Sequence, residues 1–172
     1  RGSGYRGVRN FAICGLTLFF WLGEREIVRG AEIVPPTDIV GWGNNYSGKC
    51  NAPAGLSNGV AISSGYLHSL ALKSDGTVAA WGANDGGQCD VPVGLSNVVS
   101  VAAGYYHSLA LKSDGTVVAW GSNDCGQCNV PTGLVDIVAV ANGGFHNLAI
   151  QSNGSVVAWG NNSDGQCNVP AG

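Results

Sequence analysis

The chain has 172 residues, enough for a sizeable core, and at 45% hydrophobic with a mean hydropathy of +0.14 it falls outside the disordered class. Its net charge of −3 hides a division: all five arginines lie in the first 29 residues, while from residue 37 onward three lysines face eight aspartates. That balance excludes the basic footprint of a chromatin or nucleic-acid reader, and no nucleic-acid partner is expected.

Residues 1–36 stand apart from the rest. Arg-rich RGSGYRGVRN precedes the apolar run Phe11 to Leu22, which together have the n-region and h-region of a secretory signal. Val28-Arg29-Gly30 before Ala31 offers small residues for cleavage, although Glu24, Arg25 and Glu26 are unusual there. The run is too short to span a bilayer as a helix, and Ile13 before Cys14 spoils a lipoprotein reading. The expectation is an export signal and an extracellular or cell-surface location. The alternatives are a mis-started reading frame or a structural N-terminus, with a cytoplasmic location if the segment is not a signal.

From residue 37 the chain repeats itself. Trp42, Trp81, Trp120 and Trp159 are each 39 apart, as are Cys50, Cys89, Cys128 and Cys167, and His68, His107 and His146 keep the same step. The copies run 37–58 (the last part of a unit), 59–97, 98–136 and 137–172. A period near 40 residues marks units that cannot bury their apolar faces alone and must stack.

Within residues 98–136 the apolar period is two. V-V-S-V-A-A, H-S-L-A-L-K and T-V-V-A-W-G read as strands, and Asp114-Gly115 between the last two tolerates the positive φ of a tight hairpin. A V-P segment follows, suited to a weak outer strand because proline cannot donate to a ladder. The prediction is a four-stranded blade of an all-β propeller.

The pattern A-x-G-x-x-H-S-L-A-L-K-S-D-G-T-V-x-A-W-G-x-N-x-x-G-Q resembles the repeat of the regulator of chromosome condensation (RCC1) family over residues 37–172. The V-P-x-G-L tail is similar to that of secreted bacterial members of the BLIP-II type, which inhibit β-lactamases. The resemblance implies seven-bladed propellers, for which this period needs about 270 residues. The expectation here is a partial ring of about three and a half blades, and the absence of methionine adds the expectation of a fragment.

His68, His107 and His146 offer a metal-like trio, but neighbouring copies of one mid-blade position lie roughly 9 Å apart, too far to share an ion. Each is expected to start a second strand and hydrogen-bond the backbone of its own blade. The repeated cysteines fail the same distance test for disulfides, so small, free, buried thiols are expected. Cys125-Gly-Gln-Cys128 has no counterpart in the other copies and suggests no redox or zinc design. Asp85, Asp124 and Asp164 lack the ligand alternation of a calcium loop. Catalysis needs one unique constellation and none stands out, so no enzyme, metal or cofactor is expected.

Variation among copies gathers at two places: just before the histidine, at Tyr66, Tyr105-Tyr106 and Phe145, and after W-G, around Asn84, Asn123 and Asn162. Both connections emerge on one face of a blade, which makes these seven residues the candidate binding face. The invariant Trp42, Trp81, Trp120 and Trp159 and the three histidines are read as structural anchors. The expected role is a non-catalytic scaffold that binds another protein, with self-association to close the ring as a further expectation. An enzyme inhibitor, a regulator resembling a guanine-nucleotide exchange factor and an architectural surface module are the alternatives.

Overall fold

The computed structural model describes residues 18–24 and 37–170. All regular structure there is β. Strands β1 (Leu18–Glu24) and β2 (Thr37–Gly43) form an antiparallel pair. Three antiparallel three-stranded sheets follow: β3 (Gly59–Ser64), β4 (His68–Lys73) and β5 (Val78–Gly82); β6 (Val98–Ala103), β7 (His107–Lys112) and β8 (Val117–Gly121); and β9 (Ile137–Asn142), β10 (His146–Gln151) and β11 (Val156–Gly160). Each sheet keeps sequence order with the H-S-L-A-L-K type strand in the middle, as meandering propeller blades do.

The hairpin turns use their Asp-Gly pair asymmetrically. Only the glycine takes positive φ, +75° at Gly76 and +79° at Gly115. Asp75 instead accepts hydrogen bonds from the Thr77 amide (2.9 Å) and hydroxyl (2.6 Å), an arrangement Asp114 and Thr116 repeat.

The expected fourth, outer strand is corrected by the structure. The V-P segments join no ladder, and Val91 N–H turns back to Cys89 O at 2.9 Å while Leu95 N–H reaches Pro92 O at 3.1 Å. Proline has no N–H to offer a neighbouring strand, and the valine before it has its own amide engaged locally. The blades are therefore three-stranded, each with an irregular outer strip.

The core lies between blades. One cluster joins Ile39 and Leu56 of the first unit to Ala71 and Trp81 of the second. The next joins Leu70 and Leu72 to Val98, Ala110 and Trp120, and the third joins Leu109 and Leu111 to Ile137, Ala149 and Trp159. A sheet that lies between two others is apolar on both faces because each face meets a different neighbour.

The pairing of β1 with β2 sets Phe19 opposite Trp42, the register in which Ser69 faces Trp81 and Ser108 faces Trp120. The end of the apolar run thus occupies the middle-strand position beside the partial first unit. The Arg-rich start and the cleavage region of the export-signal reading lie outside the described residues. Among the described residues no helix is long and apolar enough to cross a membrane.

Candidate functional site

His68, His107 and His146 each start a middle strand as expected, but the ring partners of His68 and His107 lie in the next blade and not in the backbone of their own. His68 Nε2 stands 2.9 Å from Ser108 Oγ, and His107 Nε2 stands 2.7 Å from Asn147 Oδ1. Ser108 donates its hydroxyl to Gln88 O (2.9 Å), and Asn147 Nδ2 donates to Gln127 O (2.7 Å). With the serine hydrogen committed and an amide oxygen only accepting, both imidazoles must donate from Nε2, leaving Nδ1 unprotonated. Both Nδ1 atoms are buried without a partner. Charging such a ring is costly, and burial together with the neighbouring His107 pushes His68 down to about 4. Burial lowers His107 too, against a partly offsetting hydrogen bond that its ring donates to Asn147.

Each ring also explains the glycine three residues before it. A Cβ on Gly65 would lie 2.8 Å from His68 Cε1, and one on Gly104 would collide outright with the His107 ring. Repeated glycine and repeated histidine are one steric unit.

Trp81, Trp120 and Trp159 are each 7% exposed and donate Nε1–H backward across the blade junction, to Lys49 O (2.8 Å), Gln88 O (2.9 Å) and Gln127 O (3.1 Å). Trp42 is 43% exposed, because the described residues supply no preceding blade to cover it. Trp81, Trp120 and Trp159 are therefore wedges between blades.

The two variable connections do share a face. Ala83 N–H bonds Leu67 O (2.9 Å), Ser122 N–H bonds Tyr106 O (2.8 Å) and Asn161 N–H bonds Phe145 O (2.9 Å), so each loop after W-G lies against the turn before the histidine. On this face the aromatics form a continuous ladder. Ring centroids of Tyr66 and Tyr105 are 4.9 Å apart, Tyr105 and Phe145 5.2 Å, and Tyr106 and Phe145 6.3 Å. Tyr66, Tyr105 and Phe145 remain 50%, 43% and 37% exposed. The ladder exists because Gly144 stands where the earlier copies carry tyrosine: a Cβ there would come within 3.0 Å of the Tyr105 ring.

Asn84, Asn123 and Asn162 have work inside their own loops. Each Oδ1 accepts from a cysteine amide, Cys89, Cys128 and Cys167 at 2.7 to 2.8 Å. Each Nδ2 donates to the residue six on, Asp90, Asn129 and Asn168 at 2.7 to 2.9 Å. Both ends of the amide are occupied, which among the seven candidate residues leaves the aromatics as the groups open to a ligand. The signal was present in the sequence as Asn-x5-Asp/Asn, repeated once per unit.

The five described cysteines are free. They are half-buried, less enclosed than expected, and Cys89, Cys128 and Cys167 direct Sγ at the carbonyl six residues earlier, at 3.2 Å. Burial and the nearby Asp90 push the Cys89 thiol up to about 11, away from thiolate chemistry. Among the described residues no three His, Cys, Asp or Glu side chains converge as a metal site.

A family model for the regulator of chromosome condensation (RCC1) repeat matches residues 60–88, 98–127 and 137–166, together just over half of the chain. Among solved structures, yeast RCC1 (Prp20), crystallised with Kap60 bound, is 26% identical with a TM-score of 0.62, over 72% of this chain and 40% of that one. The entire ectodomain of the Physcomitrella patens receptor kinase CR4 is 28% identical with a TM-score of 0.61, over 77% and 36%. Prp20p from Saccharomyces cerevisiae, studied with its binding to Gsp1p and histones, shares the fold at 22% identity and a TM-score of 0.65, over 89% and 46%. The chain thus spans less than half the length of these relatives. No curated protein matches the sequence.

Proposed function

Because the chain belongs to the regulator of chromosome condensation (RCC1) repeat family, we propose that it is a non-catalytic scaffold whose propeller blades present one face to another protein. The observation that carries this reading is the half-exposed ladder Tyr66–Tyr105–Phe145, which crosses three blades without a break. Aromatics held rigidly on loops of a stiff scaffold are what protein interfaces use as anchors, since they cover much area with little entropy to lose. A purely structural role predicts burial of these rings, as with Trp81, Trp120 and Trp159. The solved complex of the yeast relative with Kap60 supports a protein as the class of ligand. With less than half the length of that relative present, the partner itself does not carry over.

The test is a pull-down with the full chain followed by titration of the captured partner. Tyr105→Ala, Tyr106→Ala and Phe145→Ala should weaken binding by about tenfold or more, whereas Asp75→Ala and Asp114→Ala, at the other ends of the same strands, should be nearly silent. The reverse pattern, with the fold intact, would assign the working face to the hairpin turns.

A further inference from the structure

Resting on the protein-binding reading above, we infer that what docks along the ladder is a cationic segment of a partner protein, one bearing arginine or lysine side chains. The junction of the first two units shows the arrangement in miniature. Lys49 Nζ donates to Tyr66 O at 2.8 Å and lies 6.0 Å from the centre of the Tyr66 ring, within reach of a cation–π contact. Positions in register with Lys49 are Gln88, Gln127 and Gln166 in the later units. Those side chains are neutral and turned into their own loops, each Oε1 accepting a backbone amide at 2.8 Å. Tyr105 and Phe145 therefore keep exposed ring surface with no cation supplied in register by the fold.

The exposed charge around the rings has one sign. Asp85, Asp124 and Asp164 are exposed, and they stand in the loops whose amides bond the backbone of the aromatic turns. Lys73 and Lys112 are at the far ends of β4 and β7, about 17 to 20 Å away along a strand of six residues, where they meet Asp75 and Asp114 at 4.0 and 2.9 Å. Among the described residues the sole lysine on the ladder face is Lys49, 7% exposed. Carboxylates beside open rings suit a guanidinium, which stacks on an aromatic face while its edge donates to an acid.

Ring geometry argues against a flat ligand such as a sugar. Tyr66 and Tyr105 are tilted by 39° and Tyr105 and Phe145 by 75°, so the ladder offers notches between rings and not one platform. Side chains projecting from an extended peptide fit notches.

Fluorescently labelled peptides of equal length, alternating Arg-Gly, Glu-Gly and Ser-Gly, are titrated with the full chain and read by anisotropy. The arginine peptide alone should bind. Tyr105→Ala and Asp124→Asn should each weaken it by about fivefold or more, and Asp114→Asn by less than about twofold. Equal damage from Asp114→Asn and Asp124→Asn would reduce the effect to general attraction toward an acidic chain and overturn the proposal, as would failure of the arginine peptide to bind. A displayed random-peptide library, counter-selected on the Tyr105→Ala, Tyr106→Ala, Phe145→Ala triple variant, separates the two levels of failure. Enrichment of neutral or acidic peptides that need the aromatics overturns the cationic partner and leaves the face standing; absence of any aromatic-dependent peptide overturns both. Melting curves confirm that each variant is folded.

Discussion

His68 and Ser108 meet 2.9 Å apart across the junction of two blades, and the serine hands the contact on to the Gln88 carbonyl at 2.9 Å. One junction later His107, Asn147 and the Gln127 carbonyl repeat the relay at 2.7 and 2.7 Å. Serine and asparagine serve alike because each supplies one acceptor toward the ring and one donor toward the carbonyl. The tryptophan indole of the same blade reaches the same carbonyl, so a single backbone oxygen accepts from two side chains and ties the histidine relay to the indole.

These relays make the fold acid-sensitive. As pH falls below 6.5 the unfolded chain protonates its histidines, while folded His68 stays neutral down to about 4. Stability should therefore drop through that window and level off beneath it, by up to about 3 kcal/mol from His68. His107 acts in the same direction. Asp75 and Asp114, whose carboxyls are held below the usual range by their threonine partners, lose stabilisation only at still lower pH. Urea melts from pH 8 to pH 4 check this. A flat profile above pH 4 would mean that the buried rings charge freely.

The tryptophan wedges predict an unequal pair of losses. Trp120→Ala removes a 7%-exposed ring and its bond to Gln88 O, and should cost about 3 to 5 kcal/mol. Trp42→Ala, at a ring already 43% exposed, should cost less than half as much. Equal losses in denaturant melts would show that the indole does not act through the blade junction.

One amide in the second blade lacks what its copies have. Gln127 Nε2 donates to Ser122 Oγ (3.3 Å) and Gln166 Nε2 to Asn161 Oδ1 (2.8 Å), but Gln88 Nε2 is buried without a partner because the matching residue is Ala83. Ala83→Ser restores the acceptor and should stabilise the chain by about 1 kcal/mol. No gain, or a loss, in thermal melts would mean that solvent already satisfies the amide.

Strand positions and the stacked, blade-by-blade core were legible because alternation and a 39-residue step are local properties of the sequence. What crosses between blades was not. The period shows that His68 and His107 are equivalent, yet equivalence does not reveal that His68 bonds Ser108, one unit plus one residue away. The candidate face mixed two kinds of residue for a similar reason: Asn84 and Tyr105 both sit in variable loops, and only coordinates show that the asparagine closes its loop while the tyrosine stays open. The outer strand failed on a local point, since V-P promises extended backbone but not a partner for it.

The trailing face of the last described blade carries a further prediction. Leu72 and Leu111 are 5% and 3% exposed beneath the next blade, whereas Ile150, in the same register, is 42% exposed and Val156 beside it 40%. With Leu148 and Val140 these residues line an apolar cavity of about 190 Å³. A face built to be covered by another blade, and uncovered among the described residues, favours association of this chain with a second copy. Light scattering on the full chain should therefore show a mass that rises with protein concentration. Ile150→Lys places a charge where the other junctions bury leucine, and as an exposed change it should leave the melting temperature nearly unmoved while shifting the chain toward the monomer. A wild-type chain that stays monomeric as its concentration is raised, or an Ile150→Lys variant that associates as strongly as the wild type, would show that this face is not what draws the molecules together.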